Sequence, residues 1–389
     1  MDKNKWGMDM KFLLPVLLFL GLFGGGGADA EPNGTFEKEL EPVEAADVSS
    51  IIAQNFSQSF SFAGAGDVLI HDHLYEDVET ADGYDFASRV SEVAPYLNDK
   101  DLTFLNQETP IGGEALGLSG YPNFNSPVEA GDLLLEFGAD IVSNANNHTL
   151  DKKEEGILRT INLFEDKGIE YVGANKSAED AERDRILELN GIKVGFLGYT
   201  YGTNGMPVPE GKDYLVNLID GSPINQDIEA LDEKVDLLIV SMHQGVEYEE
   251  YPRENDRQQM IEMTERGADI VLGHHPHVLQ PIEINETADG RDAVIAYSLG
   301  NFFSAQQSLE TKLGGIIGFD VTKTGGETSV DDVEFMPTYV ASEEYDNFRL
   351  VPLADAGEYG LSDAASVYED VTSHMTEYSD EVEIVDYME

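Results

Sequence analysis

The chain of 389 residues contains no cysteine. This excludes a disulfide framework and a thiolate metal site, so any bound metal needs nitrogen and oxygen ligands. It also excludes attachment to the membrane as a lipoprotein.

Positive charge is scarce, because 23 lysines and arginines stand against 76 aspartates and glutamates, a formal net charge of -53. This field repels polyanions, and nucleic acid is therefore not expected as a partner. A hydrophobic content of 41% argues against a disordered chain. We interpret the acidic surface as halophilic, since high salt screens its self-repulsion; an acidic extracellular protein without salt adaptation is the alternative.

The N-terminus carries an apolar run, residues 12–23, which is too short for an ordinary membrane-spanning helix. Lysines precede it, and Ala28-Asp29-Ala30 follows as a small-x-small cleavage pattern. We expect residues 1–30 to be a signal peptide that exports the protein to the extracellular space or cell surface. An uncleaved membrane anchor is the alternative.

The remaining chain divides into three parts by composition. Residues 31–59 are acidic without a strong period, which predicts a linker. A domain is predicted at 60–352. Residues 353–389 are acidic again and are expected to form a peripheral helix or a mobile tail.

Within the predicted domain, short apolar runs rich in β-branched and aromatic residues are mostly followed by segments with helical spacing. This predicts βα units, and the excess of strands in the later half predicts an α/β fold with two stacked sheets. Asn190-Gly191 is a strong hairpin signal. Helices are predicted at 86–97, 128–137, 152–167, 227–234 and 253–266, and later strands at 278–283, 293–299, 314–321 and 333–340.

Three of the eight histidines stand together in the segment from Gly273 to His277, directly after an apolar run. Neutral imidazole is the commonest protein ligand for transition metals, and two ring nitrogens one residue apart can reach one metal centre. The cluster predicts a metal site. A polar loop whose imidazoles hydrogen-bond to the backbone is the alternative.

Further ligand-type residues follow other strand-like runs. Ligands of such sheets collect beyond the carboxyl ends of the strands, so five segments are expected to bring Asp, Glu, Asn and His to one rim. His148 is the natural general acid, and Asp151 could orient its ring. Glu108 could bridge two metals. The predicted metal ligands are Asp67, Glu108, Asn147, His243, His275 and His277.

Several motifs in order resemble those of the CapA-type capsule synthesis proteins, the poly-γ-glutamate biosynthesis family, which is related to the calcineurin-like metallophosphoesterases. They include GAGDVLIH, LTFLNQETPI, DIVSNANNHTLD, IVSMHQGVEYEEYP, GADIVLGHHPHVLQPIE and AYSLGNFF, and the likeness covers residues 62–303. The resemblance implies a two-sheet αββα sandwich of the metallophosphoesterase type. It also implies a metallophosphatase-like site for one or two divalent metal ions (Mn, Fe or Zn), poly-γ-glutamate or its precursors as ligand, and membrane-bound poly-γ-glutamate synthase subunits as partners.

The resemblance also assigns roles. Asp67 matches the first-strand aspartate of metallophosphoesterases and Glu108 their bridging aspartate. Asn147-His148 matches their Asn-His pair, His243 their mid-domain histidine, and His275-Pro276-His277 their final His-x-His.

The chain departs from this pattern at two positions. Leu69 stands where the Asp-x-His start has histidine, and His71 or His73 could take that place. His274 stands where the superfamily has glycine, so the assignment of the ligands among the three clustered histidines could shift by one residue. We take His274 as a candidate substrate-binding residue. Asn301, in the SLGNFF motif, could contact substrate, hold a ligand loop or simply form a turn.

Three functions remain open at this point. The first is a surface metal-dependent hydrolase in the synthesis, export or attachment of poly-γ-glutamate, acting on a phosphoester or a γ-glutamyl amide. The second is a non-catalytic accessory subunit that binds polymer through a retained metal pocket. The capsule-type motifs disfavour the third, an exported nucleotidase.

Overall fold

A computed structural model describes residues 57–389. The predicted signal peptide and nearly all of the predicted linker lie outside the described residues, so export remains a prediction. In residues 57–389, no helix combines the length and apolarity that crossing a membrane requires.

Strands make up most of the regular structure. In chain order they are β1 (Ser57–Leu69), β2 (Glu79–Thr80), β3 (Gly83–Tyr84), β4 (Leu102–Gln107), β5 (Ile141–Ser143), β6 (Glu170–Val172), β7 (Arg185–Leu189), β8 (Ile192–Thr200), β9 (Leu237–His243), β10 (Ile270–His274), β11 (Leu279–Glu286), β12 (Asp292–Leu299), β13 (Asn301–Ser304), β14 (Leu313–Thr324), β15 (Glu327–Glu343), β16 (Asp346–Pro352) and β17 (Glu383–Ile384).

The helices are shorter and lie between the strands. They are α1 (Asp72–Asp77), α2 (Ala87–Val90), α3 (Ala94–Asn98), α4 (Ala130–Glu136), α5 (Lys153–Lys167), α6 (Ala178–Ala181), α7 (Ile224–Asp232), α8 (Glu254–Glu265), α9 (Leu309–Lys312) and α10 (Ala364–Met375), with 3-10 turns at Glu114–Leu116, Asp213–Leu215 and Leu353–Tyr359.

Two large sheets form the centre of the fold. The first has the order β16-β15-β14-β1-β4-β5-β6, with β13 beside β1 and β17 beside β15. The second has the order β11-β12-β10-β9-β8-β7. The strands β1, β4, β5 and β6 are mutually parallel, as are β8, β9, β10 and β12, so each sheet has one edge where several carboxyl ends meet.

Side-chain alternation along the strands builds three apolar layers. In β10, Ile270 and Leu272 face the core between the sheets, where Phe62 and Phe104 of the first sheet also lie. Val271 faces the other way. Because successive residues of a strand point to opposite faces, one strand supplies two cores.

Helices cover the outer face of each sheet. On the first sheet, α5 buries Ile157, Ile161 and Phe164, which recur at helical spacing. On the second sheet, α7 and α8 contribute residues such as Ile228 and Met263. The layers therefore run helix, sheet, sheet, helix, and the predicted αββα sandwich is confirmed.

Most predicted elements are found within a few residues of their expected ends. The predicted helix at 86–97 is instead two short helices, α2 and α3. Pro95 lies in the first turn of α3, where its missing N–H costs nothing, whereas it would break a continuous helix. The predicted hairpin is present: Asn190 and Gly191 join β7 to β8 with φ values of 50° and 84°, as a type I′ turn requires.

The C-terminal segment forms a helix, α10, which was one of the two alternatives expected, and it is part of the sandwich rather than a mobile tail. Val371 and Met375 of α10 are buried in the core between the sheets. β17 pairs with β15, from Glu383 beside Glu334 to Ile384 beside Phe335. The folded unit therefore extends past the boundary at 352 that composition suggested, because a few apolar residues dock an otherwise acidic segment.

Candidate metal centre

The carboxyl ends of strands from both sheets meet at one rim. In the first sheet Asp67 lies beside Asn106. In the second, His243 lies beside His274, and Thr200 lies beside His243. Of the strand-end residues that the sequence singled out, His243 and His274 are therefore neighbours across paired strands of the second sheet, and Asp67 lies at the end of β1 in the first.

Strand alternation aims these side chains toward the space between the sheets. In β9, Leu237 and Ile239 face the inter-sheet core, and His243 keeps the same parity. In β10, Ile270 and Leu272 do so, and His274 follows two residues later. The polar rim is thus a direct continuation of the apolar core.

Asp67 is the centre of the rim and is fully buried. Gly66 allows β1 to pass close to the turn before β13, since a Cβ there would lie 2.1 Å from the carbonyl oxygen of Gly300. Asn106 Nδ2 donates a hydrogen bond of 2.8 Å to Asp67 Oδ1. His277 Nδ1 lies 3.1 Å from Asp67 Oδ2, and His274 Nδ1 lies 3.4 Å from Asp67 Oδ1.

Glu108 lies beside Asp67 and is also fully buried. Its Oε1 is 3.7 Å from His243 Nε2 and 3.8 Å from His277 Nε2. Its backbone N–H donates to Val68 O at 3.1 Å, which fixes the start of the loop after β4. The carboxylate thus lies between histidines of two different segments without a hydrogen bond to either.

Asn147 and His275 complete the group. Asn147 Oδ1 is 3.0 Å from His243 Nε2, and the rings of His243 and His275 have centroids 4.9 Å apart. The structure thus brings all six predicted ligands together, and they are called the rim cluster below. Its members are Asp67, Glu108, Asn147, His243, His275 and His277.

The turn that carries two of these histidines has an unusual backbone. His275 has a backbone φ of 101° and His277 a φ of 61°. Residues other than glycine seldom adopt positive φ values. Such conformations persist only where the surroundings hold them, and they concentrate at functional sites.

Charges within the rim cluster shift its pKa values strongly. Burial alone would lower the pKa of His277, but the carboxylates of Glu108 and Asp67 outweigh it and raise this pKa to about 9. Burial lowers the pKa of His275 to about 3, with His277 acting in the same direction. Burial, followed by the neighbouring His275, keeps the pKa of His243 well below its usual value.

The two carboxyl groups shift in opposite directions. Burial raises the pKa of Asp67, but the adjacent rings of His274 and His277 outweigh it, and this pKa lies well below the usual range. Burial, to which the charge of Asp67 adds, holds the pKa of Glu108 well above its usual value. Two adjacent buried carboxylates therefore need positive charge beside them if both are to be ionised.

Several buried polar atoms of this rim have no hydrogen-bond partner within the described residues. They include both carboxylate oxygens of Glu108, both ring nitrogens of His274 and Nδ1 of His275. An unsatisfied buried polar atom costs about 1–3 kcal/mol. Carboxylate oxygen and imidazole nitrogen are common protein ligands for manganese, iron and zinc. The residues present therefore fit a divalent metal, and one ligand atom each of Asp67, Glu108 and His277 lie within 4.8 Å of one another.

His148 and Asp151 form a separate pair at the edge of the rim cluster. His148 Nδ1 lies 2.7 Å from Asp151 Oδ2, which also accepts a hydrogen bond of 2.7 Å from the backbone N–H of Phe124. The ring of His148 packs edge-on against Phe124, with centroids 4.7 Å apart. Asp151 thus fixes the ring of His148 in one orientation.

Comparison with known proteins now identifies the family. The chain matches the family described as Bacterial capsule synthesis protein PGA_cap over residues 61–306, more than half of its length. The protein belongs to this family. The "Capsule biosynthesis protein CapA" of Bacillus anthracis is 28% identical over 285 residues, 71% of this chain and 67% of that protein. The "PGA biosynthesis protein CapA" of Bacillus subtilis (strain 168) is 29% identical over 302 residues, 73% of this chain and 74% of that protein.

Solved structures resemble this family member more distantly. A phosphatase from Mycoplasma pneumoniae has a TM-score of 0.45 and 14% identity, covering 75% of this chain and 97% of its own. A 5'-nucleotidase precursor from Thermus thermophilus has a TM-score of 0.45 and 13% identity, covering 81% of this chain and 59% of its own. Likeness at this level assigns no substrate to this chain.

The two candidate substrate-binding residues lie below the rim rather than at its opening. His274 is 1% exposed and lies against Asp67 and Phe104. Asn301 is fully buried, and its Oδ1 is 3.1 Å from His277 Nδ1. These positions favour support of the rim cluster over contact with substrate, and for Asn301 they favour the alternative of holding a ligand loop.

His71 and His73, the two proposed replacements for the missing histidine, differ in position. His71 Nδ1 lies 3.0 Å from Leu69 O and accepts a hydrogen bond of 3.3 Å from Ala305 N. His73 stacks near Tyr345, away from the rim cluster. His71 lies on the side of the rim cluster, because its ring packs edge-on against Phe124, the ring that also packs against His148.

Sequence reasoning missed two residues at the rim. Asn106 orients Asp67, and the alternation of β4 could have revealed it, since Leu102 and Phe104 face the core and Asn106 is the next residue on that face. Glu247 places a carboxylate oxygen within 4.8 Å of ring nitrogens of His275 and His277. It lies in a loop without periodicity, and no sequence signal separated it from the other acidic residues there.

Proposed function

We propose that this protein is an exported, metal-dependent hydrolase that acts in the synthesis, export or anchoring of a poly-γ-glutamate capsule. Membership of the capsule synthesis family supports the process. The observation that carries the chemistry is the oriented His148–Asp151 pair beside a buried rim cluster with unpartnered carboxylate oxygens.

The residues divide the work as follows. Asp67, Glu108 and His277 would hold one divalent ion, and His243, His275 and Asn147 are placed to extend the site to a second. Such ions lower the pKa of bound water and stabilise negative charge that develops on the substrate. The chain keeps Asp67 and Glu108 away from bulk water, so a cation between them would interact with their carboxylates more strongly than with exposed ones.

His148 would supply the proton that the leaving group needs. Asp151 occupies Nδ1, which leaves Nε2 as the nitrogen that delivers a proton. The bond broken is a phosphoester or a γ-glutamyl amide, and both chemistries use an activated water and a proton donor.

Charge constrains how the polymer would approach. Poly-γ-glutamate is a polyanion, and a chain with a net charge of -53 repels it at low salt. Divalent cations at the rim and high ionic strength both weaken that repulsion. Binding of the polymer is therefore expected to strengthen as salt rises, opposite to the behaviour of a basic polymer-binding protein.

A second candidate function is a non-catalytic subunit that binds polymer for a membrane-bound synthase. The observation that favours it is Leu69, which removes a histidine from the metallophosphoesterase pattern. The two functions differ in turnover and not in metal binding.

The deciding experiment is a substrate screen on the purified chain with manganese, iron or zinc added after chelation. We expect release of product from a phosphoester or a γ-glutamyl peptide that a chelator abolishes. His73→Ala is the matched control for side-chain loss at an unrelated histidine. Metal binding without turnover on either substrate class would favour the accessory subunit.

A further inference from the structure

The loop between β9 and α8, residues 244–253, lies along the histidine turn. The N–H of Gln244 donates to His274 O at 3.1 Å, and the N–H of Tyr248 donates to Pro276 O at 2.8 Å. Gly245, with a φ of 116°, permits the close approach, since a Cβ there would lie 3.3 Å from Pro276 Cγ. The loop is therefore pinned to the turn at both ends of a short stretch.

Glu247 lies between these two pins. One of its carboxylate oxygens and one ring nitrogen each of His275 and His277 lie within 4.8 Å of one another. His275 is 3% exposed, and its Nδ1 has no hydrogen-bond partner among the described residues. The loop, which two backbone hydrogen bonds hold in place, thus positions the Glu247 carboxylate next to a buried imidazole that has an unpartnered ring nitrogen.

The set of Glu247, His275 and His277 shares one residue with the buried set of Asp67, Glu108 and His277. His277 belongs both to the set with Asp67 and Glu108 and to the set with Glu247 and His275. Two sets that share a side chain define two adjacent positions for divalent ions, and His277 itself would bind one of them. The chain lacks the histidine that the metallophosphoesterase pattern has at position 69, and Glu247 offers an additional carboxylate beside His275 and His277.

We propose that Glu247 is a metal ligand in the loop that completes a second divalent-metal position with His275, next to the ion that His277 would hold with Asp67 and Glu108. The inference rests on the proposed function, because it requires the rim cluster to bind metal. Asp67 and Glu108 are buried at strand ends, whereas Glu247 is exposed. The second position should therefore bind metal more weakly than the first.

The test is titration of the chelator-treated full chain with manganese chloride, followed by calorimetry. About 1 M potassium chloride screens charges beyond about 3 Å and suppresses association with the acidic surface. The wild type should show two classes of site. Glu247→Gln should lose the weaker class or weaken it by at least about tenfold, while Glu250→Gln, an exposed acid on the same loop, should match the wild type.

Electron paramagnetic resonance of bound manganese gives a second reading. The wild type should show a spin-coupled pair, and Glu247→Gln a single isolated ion. Thermal unfolding of the variant checks that its fold is intact. If Glu247→Gln and wild type give the same isotherm and spectrum, Glu247 is no ligand and the proposed function stands. If the wild type binds no manganese, both proposals fail.

Discussion

The rim cluster and the His148–Asp151 pair are neighbours, yet their hydrogen bonding differs. In the pair, His148 Nδ1 and Asp151 Oδ2 are 2.7 Å apart, and the same oxygen accepts from Phe124 N. In the cluster, both oxygens of Glu108 lack any partner within the described residues. A group whose partners are all present is held for orientation, whereas buried atoms without partners are suited to receive a ligand.

The difference separates binding from proton transfer. Buried polar atoms without partners destabilise a fold unless something satisfies them, and a metal ion would do so for the cluster. The pair needs nothing further to hold its geometry. Substitutions in the two regions should therefore have different consequences, and the predictions below rank them by expected effect.

The largest effect should come from His277→Ala. His277 lies with Asp67 and Glu108 and also beside Glu247 and His275, so its loss removes a ligand from the centre of the candidate site. We expect manganese affinity to fall by more than about 100-fold, beyond what loss of an outer partner causes. Calorimetric titration measures it, with His73→Ala as the control. Unchanged affinity in His277→Ala would remove the distinction between the two regions.

His148→Ala should affect rate and leave metal binding intact. As a proton donor, His148 is expected to raise the turnover rate of a substrate found in the screen by roughly 10²–10⁴-fold. It makes no bond to the metal, so the variant should bind manganese as the wild type does. Manganese titration and steady-state kinetics on the same preparation test both halves. Equal loss of metal in His148→Ala and His277→Ala would make His148 a ligand and merge the two regions.

Salt should produce the smallest effect, and it acts on the exposed carboxylates rather than the buried ones. Unpaired surface charges repel over about 30 Å at 0.01 M ionic strength and only about 3 Å at 1 M, whereas buried groups are screened much less. The unfolding midpoint should rise by several degrees between about 0.1 M and 2 M potassium chloride, measured by circular dichroism. A level or falling midpoint would contradict the halophilic interpretation and leave the rim cluster untouched.

The sequence predicted the fold wherever periodicity and turn chemistry agreed. The alternation in β10 and the Asn190-Gly191 turn are local signals, and both elements formed as expected. The end of the domain was misplaced because docking of Val371 and Met375 depends on partners distant in the chain. Composition reports the acidity of that segment and not the few apolar residues that fix it.

The candidate site followed from residue type and from position at strand ends. Strand ends meet at one edge whatever the loops do, so Asp67, Glu108 and His243 could be placed together before their distances were known. The role of His274 could not be predicted in this way. Which of the adjacent histidines faces the site depends on backbone angles such as the φ of 101° at His275. Glu247 was missed for the same reason, since a loop pinned by backbone hydrogen bonds leaves no periodic trace.

The most direct measurement is anomalous diffraction at the manganese edge from crystals grown with manganese chloride. Titration alone counts ions, and an acidic surface also attracts them, whereas an anomalous map gives their position. We expect a peak within coordination distance, about 2 Å, of ligand atoms of Asp67, Glu108 and His277. Peaks confined to surface carboxylates, with none among these three side chains, would contradict this expectation.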